Sequence, residues 1–159
     1  MFASSMVELL ELTCRTMADK PPKKADAAFL FGQTPDNEES ILKRAALLFH
    51  QGMADKVLFS TGGVSVTNEP WSPPYQGLLT GLGVTHNSII PVLITEKLAH
   101  AHTEAMAFVA YAKERNYQSV CVTAQPLQQL RALVNTISIV LINYPKLKVY
   151  SMPGTPLTW

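Results

Sequence analysis

Charge of one sign is the first thing this sequence lacks. Thirteen Lys plus Arg stand against twelve Asp plus Glu, a formal charge of +1, so no global field draws the chain to nucleic acid or to an anionic membrane. No nucleic-acid partner is expected. Cysteine is scarce: Cys14 and Cys121 are the only two. They are too few for a disulfide framework, lack metal-site spacing, and read as buried thiols. The apolar start from Met1 to Met6 has no basic leader, and Glu8 and Glu11 interrupt the next stretch, so neither a signal peptide nor a membrane span is expected there. A cytoplasmic protein is the simplest expectation. Two nucleotide signatures are also missing. The chain has no G-x-x-x-x-G-K-[ST], and no G-x-G-x-x-G comes after its first strand, which argues against a standard nucleotide-hydrolysing or dehydrogenase site.

The residues present are largely apolar and ordered in short blocks. Hydrophobic residues make up 47% of 159, enough for one domain with a sizeable core. Residues 1–24 read as an amphipathic helix (5–18, with Ser5 and Glu8 as a capping box) and a proline connector, Asp19-Lys20-Pro21-Pro22, belonging to the same domain as residues 25–159. Ala25 to Phe31 is an almost unbroken apolar run stopping at Gly32, the pattern of a strand buried on both faces. Asp36 and Glu39 suggest a second capping box, Ile41, Leu42, Ala45, Leu48 and Phe49 recur at helical spacing, and Gly52 supplies a left-handed cap. Lys56 to Ser60 then forms a strand ending at Thr61-Gly62-Gly63. A helix runs from Pro73-Pro74 to about Leu82, closed by Gly83. A short strand is expected from Val92 to Ile94, because Pro91 precedes it. A helix from Thr103 to Asn116, a strand from Ser119 to Thr123, a long helix from Pro126 to about Ile142 and a strand from Leu147 to Met152 complete the alternation.

Strand alternating with helix in this way predicts an α/β fold: a three-layer, Rossmann-like open sheet, mostly parallel, of about five strands with helices on both faces. Ligands of such sheets bind beyond the carboxyl ends of the strands. The turns that matter are therefore Gly32-Gln33-Thr34, Ser60-Thr61-Gly62-Gly63, Glu96 to Thr103, and Thr123-Ala124-Gln125-Pro126. Glycine there permits positive φ and close approach of a ligand, and the helix starts near Pro35 and Pro126 present unpaired N–H groups suited to an anion. Arg131 could reach back to that anion as a fork of donors, though glycine after a strand is often only turn chemistry. His100 and His102 flank Ala101 near Glu96 and Glu104. Two such residues without a spaced third do not define a metal site, and none is assigned. Trp71, among Pro70, Pro73 and Pro74, serves either as a lid stacking on an aromatic ligand or as packing for its own loop.

At these turns the chain resembles the YdcF-like (SanA-like) family of domains of unknown function. The family pattern is a strand ending in Gly, Arg-Ala on a helix closing at Gly, a strand ending Ser-Gly-Gly, a Thr-x-Glu-Asn helix start, and a Val-Thr-Ser turn leading to His and Arg-Ala. The matching stretches are Asp26 to Gly32, Lys43-Arg44-Ala45 through Gly52, Ser60-Thr61-Gly62-Gly63, Gly83-Val84, Glu96, Thr103-Glu104, and Val122-Thr123 with Arg131-Ala132. Their order and spacing agree over roughly residues 25 to 150. Two polar positions depart: His102-Thr103-Glu104-Ala105 lacks the Asn, and Gln128 or Gln129 stands where the His belongs. The resemblance implies a Rossmann-like fold without a settled common reaction. One family member binds S-adenosylmethionine, which makes that molecule the cofactor candidate.

Two functions arise as expectations. In the first, an adenosine-containing or phosphorylated small molecule binds at Gly32, Gln33, Thr61, Gly62, Gly63, Thr103, Gln125 and Gln128. Were the protein an enzyme, Glu104 would act as acid or base and Arg131 would hold negative charge. The second is a non-catalytic sensor or assembly module. Its amino-terminal helix, apolar at Leu9, Leu10 and Met17, would exchange between protomers of a homo-oligomer or dock a partner, the alternative being that it covers its own sheet.

Overall fold

The run Ala27-Ala28-Phe29-Leu30 is wholly buried and forms the central strand β1 (Ala27–Leu30). Strands β2 (Val57–Thr61), β3 (Ile89–Leu93), β4 (Ser119–Thr123) and β5 (Lys148–Ser151) complete one sheet in the order β3-β2-β1-β4-β5, every neighbouring pair parallel. The helices are α1 (Phe2–Ala18), α2 (Glu38–His50), α3 (Tyr75–Gly81), α4 (Ala101–Glu114) and α5 (Gln129–Asn143). The structure, a computed structural model, describes residues 2–19, 24–65 and 67–158. The chain is thus an α/β protein with a five-stranded parallel sheet of Rossmann-like, three-layer form.

Side chains alternate across each strand, so one sequence run serves two cores. Ala27, Phe29, Phe31, Val120 and Val122 pack against Phe108 and Val109 of α4 and Leu133 and Val140 of α5. Phe29 stacks on Phe108 at 4.5 Å between ring centres. On the opposite face, Leu30, Val57 and Phe59 meet Ile41 and Ala45 of α2 and Tyr75 and Leu79 of α3. A strand covered on both sides needs apolar residues at consecutive positions, which is why β1 and β4 carry little polarity.

Several boundaries differ from the sequence reading. β3 starts at Ile89 and holds Pro91 opposite Phe59. It is an edge strand, where a missing N–H can face away from the sheet. Asn37, not Asp36, precedes α2, with no side-chain cap; the backbone N–H groups of Asn37 and Glu38 both donate to Thr34 O instead. Ser5 lies inside α1 rather than at its start. Residues Pro126–Gln128 form a 3-10 turn before α5. Gly52 and Gly83 both take positive φ, 66° and 83°, as helix-closing residues. Lys20, Pro21 and Pro22 of the expected connector lie outside the described residues.

α1 lies beside α5 and β5 and is fastened at its carboxyl end. Leu12 packs on the larger core and Thr16 is buried. Ser151 donates its hydroxyl to Thr16 O at 2.5 Å and its N–H to the Asp19 carboxylate at 3.0 Å. Cys121 is buried, as expected, but Cys14 is exposed. Cys14 sits on the outward side of α1, among apolar residues that the sheet does not use. No helix among the described residues is long and apolar enough to cross a membrane.

Candidate functional site

From β1 the chain runs through α2 and α3 to β2 and β3 on one side, and α4 then carries it across to β4 on the other. Strand order therefore reverses between β1 and β4, where parallel sheets open a crevice. A cleft of about 830 Å³ lies there. Its floor is Phe31, Gly32 and Gln33 after β1 with Ala124 after β4; Ser65, Thr67, the stretch from Glu69 to Pro73 and the starts of α4 and α5 form its walls. That volume suits a metabolite-sized molecule.

Glu104 occupies the inner end. It is the fourth residue of α4 and only 6% exposed, yet it lines the cleft. Its Oε2 accepts from Gly32 N–H at 2.8 Å and from the Ser60 hydroxyl at 2.6 Å. Ser60 in turn accepts from the Trp71 indole N–H at 3.1 Å. Burial raises the Glu104 carboxyl above the usual carboxylate range, against the opposing pull of the Ser60 and Gly32 hydrogen bonds and the Arg131 charge. With both donors on Oε2, the proton of the neutral form sits on Oε1. No hydrogen bond to Oε1 is present among the described residues. The group is thus set up to donate or accept one proton from one atom.

Trp71 is built into this arrangement. A Cβ at Gly32 would collide with the Trp71 ring, so glycine here is the floor on which the indole lies. Ser60, 1% exposed beneath it, is shut off from ligand and acts by holding Glu104. Tyr75, buried under the floor with its phenol raised by desolvation, accepts from Gln33 N–H at 3.0 Å and fixes that turn from below.

Arg131 is on the opposite wall, in the first turn of α5 and exposed, its guanidinium donating to Gln128 Oε1. His102 is paired with Asn135 of α5 at 3.3 Å, and His100 caps α4 by accepting from Thr103 N–H at 3.4 Å. Both histidines and Asn135 line the cleft. Among the described residues no group of three or more His, Cys, Asp or Glu could hold a metal ion.

The structure brings Gly32, Gln33, Glu104, Gln128 and Arg131 to one cleft. It leaves Thr61, Gly62, Gly63, Thr103 and Gln125 outside the lining. Gly62 and Gly63, at φ 87° and 70°, pack closely against Leu93, Ile94 and the backbone of Glu96 and Lys97. Gly62 N–H donates to Trp71 O, and Gly63 O accepts from Trp71 N–H, so the pair starts a loop that returns Trp71 to the floor. Thr61 Oγ1 also donates to Trp71 O, at 3.3 Å. Thr103 Oγ1 donates to Leu98 O at 2.8 Å and accepts from His100 N–H, which closes a capping box. Gln125 caps the 3-10 turn through Leu127 N–H. Gln129 is fully buried, bonded to Ala124 N, Val122 O and Ser151 Oγ, and pins β4 to β5. Sequence reading named Ser60 within a strand-end turn without giving it a role, and passed over Asn135. The only signal for Asn135 was its position a helical turn after Arg131. Comparison with family models, curated proteins and solved structures found no match for this chain.

Proposed function

We propose that this protein binds an adenosine-containing or phosphorylated small molecule in the β1/β4 cleft, with S-adenosylmethionine as the cofactor candidate. In this reading it is a diverged YdcF-like domain working in the cytoplasm, on the strength of its motif succession. The observation that carries the reading is Glu104: a buried carboxyl of raised pKa, supported from behind on Oε2 and open on Oε1, in a cleft whose other wall carries Arg131. Groups of this kind concentrate where ligands are bound or protons moved.

Arg131 would take the anionic end of the ligand, a phosphate or carboxylate, with Gln128 orienting its guanidinium. The neutral Glu104 would donate from Oε1 to a ligand oxygen or nitrogen, and as a carboxylate would accept a proton from it. Turnover would then rest first on Glu104 and Arg131, and Ser60, which is covered, would act only through Glu104.

A thermal-shift panel of S-adenosylmethionine, nucleotides and sugar phosphates tests this reading. Ligand at about 100 times its Kd stabilises by about 2.7 kcal/mol, a rise in Tm on the order of 5–10 °C for a domain of this size. The rise should disappear in Arg131→Ala. A panel giving no shift at millimolar ligand overturns the reading.

A further inference from the structure

The exposed apolar residues are concentrated on two neighbouring helices. On α1, Met6, Val7, Leu9, Leu10 and Met17 are each more than half exposed. Met6, Leu10 and Met17 recur at steps of four and seven, so they lie along one side of the helix. Glu8, Glu11 and Arg15 recur at three and four and occupy a different edge. On the adjoining α5 and its preceding turn, Leu127, Leu130, Val134 and Leu141 recur at three, four and seven, with Ile137 half-buried between them. Leu127, Leu141 and Ile142 are 82%, 68% and 78% exposed. Arg131 is the only charged residue in α5.

We infer that α1 and α5 form the contact face of a symmetric homodimer, each pair covering the same pair of a second copy of this chain. Three features select that occupant. The first is area. Weighted by exposure, the stripe residues Met6, Leu10 and Met17 of α1 with Leu127, Leu130, Val134 and Leu141 amount to about four fully exposed aliphatic groups, on the order of 500 Å² of apolar surface. A standard interface takes about 800 Å² from each partner, of which a little over half is apolar, so the stripe is close to the apolar share of one half of such a contact. The second is charge. Helices that lie on membranes carry a Lys- and Arg-rich polar face beside the apolar one, whereas the charges of α1 are two Glu and one Arg, and α5 offers one Arg. The third is self-complementarity. A two-fold interface sets a patch against itself, and an apolar stripe does this without like-charge contacts. Spacing of three and four along both helices suits side-by-side helix packing. Within its own chain α1 uses mainly Leu12 and Thr16 among its described side chains, so most of its apolar surface is left for a partner.

Sedimentation velocity on the full chain is the test, read as mass against concentration up to roughly 100 µM. The expected result is twice the 17.5 kDa chain mass. Val134→Glu and Leu141→Glu, both at exposed sites on α5, should each raise the dissociation constant at least a hundredfold with unchanged far-ultraviolet circular dichroism. Leu10→Glu on α1 should do the same, and Glu11→Lys on the charged edge should leave the dimer intact. Were Leu10→Glu to disturb α1, the two α5 variants would still decide. A wild-type chain monomeric across the range overturns the inference. So does a monomer that co-sediments with phosphatidylcholine vesicles, which would make lipid the occupant. A dimer surviving both α5 substitutions overturns it as well, because its interface would lie elsewhere.

Discussion

Replacing Glu104 separates its structural role from its ionisation. Its Oε2 holds Gly32 N–H at 2.8 Å and the Ser60 hydroxyl at 2.6 Å. Glu104→Ala strands both donors in a dry region. An unmade buried hydrogen bond costs roughly 1–3 kcal/mol, so two of them plus the space vacated come to about 3–5 kcal/mol. Glu104→Gln keeps an acceptor oxygen for the same donors and should cost under about 1 kcal/mol in acid. The two variants then diverge with pH. Because burial raises the folded pKa above the ordinary 4.5, the stability that comes from a neutral carboxyl is complete below that ordinary value. It is lost as pH climbs through the folded value. Glutamine never ionises, so Glu104→Gln should overtake the wild type as pH rises above about 4.5. The margin grows by about 1.4 kcal/mol for each tenfold loss of acidity, then levels off above the folded pKa. Urea unfolding followed by tryptophan fluorescence, from roughly pH 4 to pH 8, measures both effects. A Gln-minus-wild-type gap that does not change with pH would exclude a raised Glu104 carboxyl, and a Gln variant as damaged as the Ala variant would exclude Oε2 as the acceptor that matters.

Gly32→Ala drives a methyl into the Trp71 ring. It should cost about 1–3 kcal/mol and shift the indole emission, whereas an unchanged spectrum would show that Trp71 does not rest on this glycine. Gly63→Ala, at φ 70° with its Cβ 3.0 Å from Glu96 O, should lose about 1–3 kcal/mol, yet bind ligand with unchanged Kd once folded. Weakened binding in the folded variant would return the Gly-Gly pair to the site. Of the two thiols, Cys14, exposed in the single chain, should react with a disulfide reagent at once in the monomeric Leu141→Glu variant. Cys121, its thiol pushed up to about 12 by burial, should react only on unfolding. Two fast equivalents per chain would contradict the core placement of β4.

The strands were legible because a parallel sheet covered on both faces demands consecutive apolar residues, and Ala25 to Phe31 and Val120 to Val122 supply them. Gly52 and Gly83 were legible because helix closure needs positive φ. Pro91 misled the start of β3, since sequence alone does not tell which strands lie at an edge. Glu104 was visible by its place at a helix start after a strand. Its meaning was not, because that depends on Ser60, Gly32 and Trp71 arriving from three other segments. Gly62-Gly63 shows the converse: a glycine needed where chain meets chain looks the same in sequence as one needed where chain meets ligand. A helix counted from Pro126 would put Arg131 in its second turn, but the 3-10 turn at 126–128 puts it in the first turn of α5, on the cleft wall.

Crystals soaked in millimolar S-adenosylmethionine and, separately, a sugar phosphate test whether the β1/β4 cleft holds a small anionic or adenosine-containing ligand between Glu104 and Arg131. Electron density is expected in the cleft for one of them, with a ligand polar atom in hydrogen-bond reach of Glu104 Oε1 and its anionic group on Arg131. Density beside Gly62-Gly63 instead, or an empty and well-ordered cleft under both soaks, would contradict binding between Glu104 and Arg131.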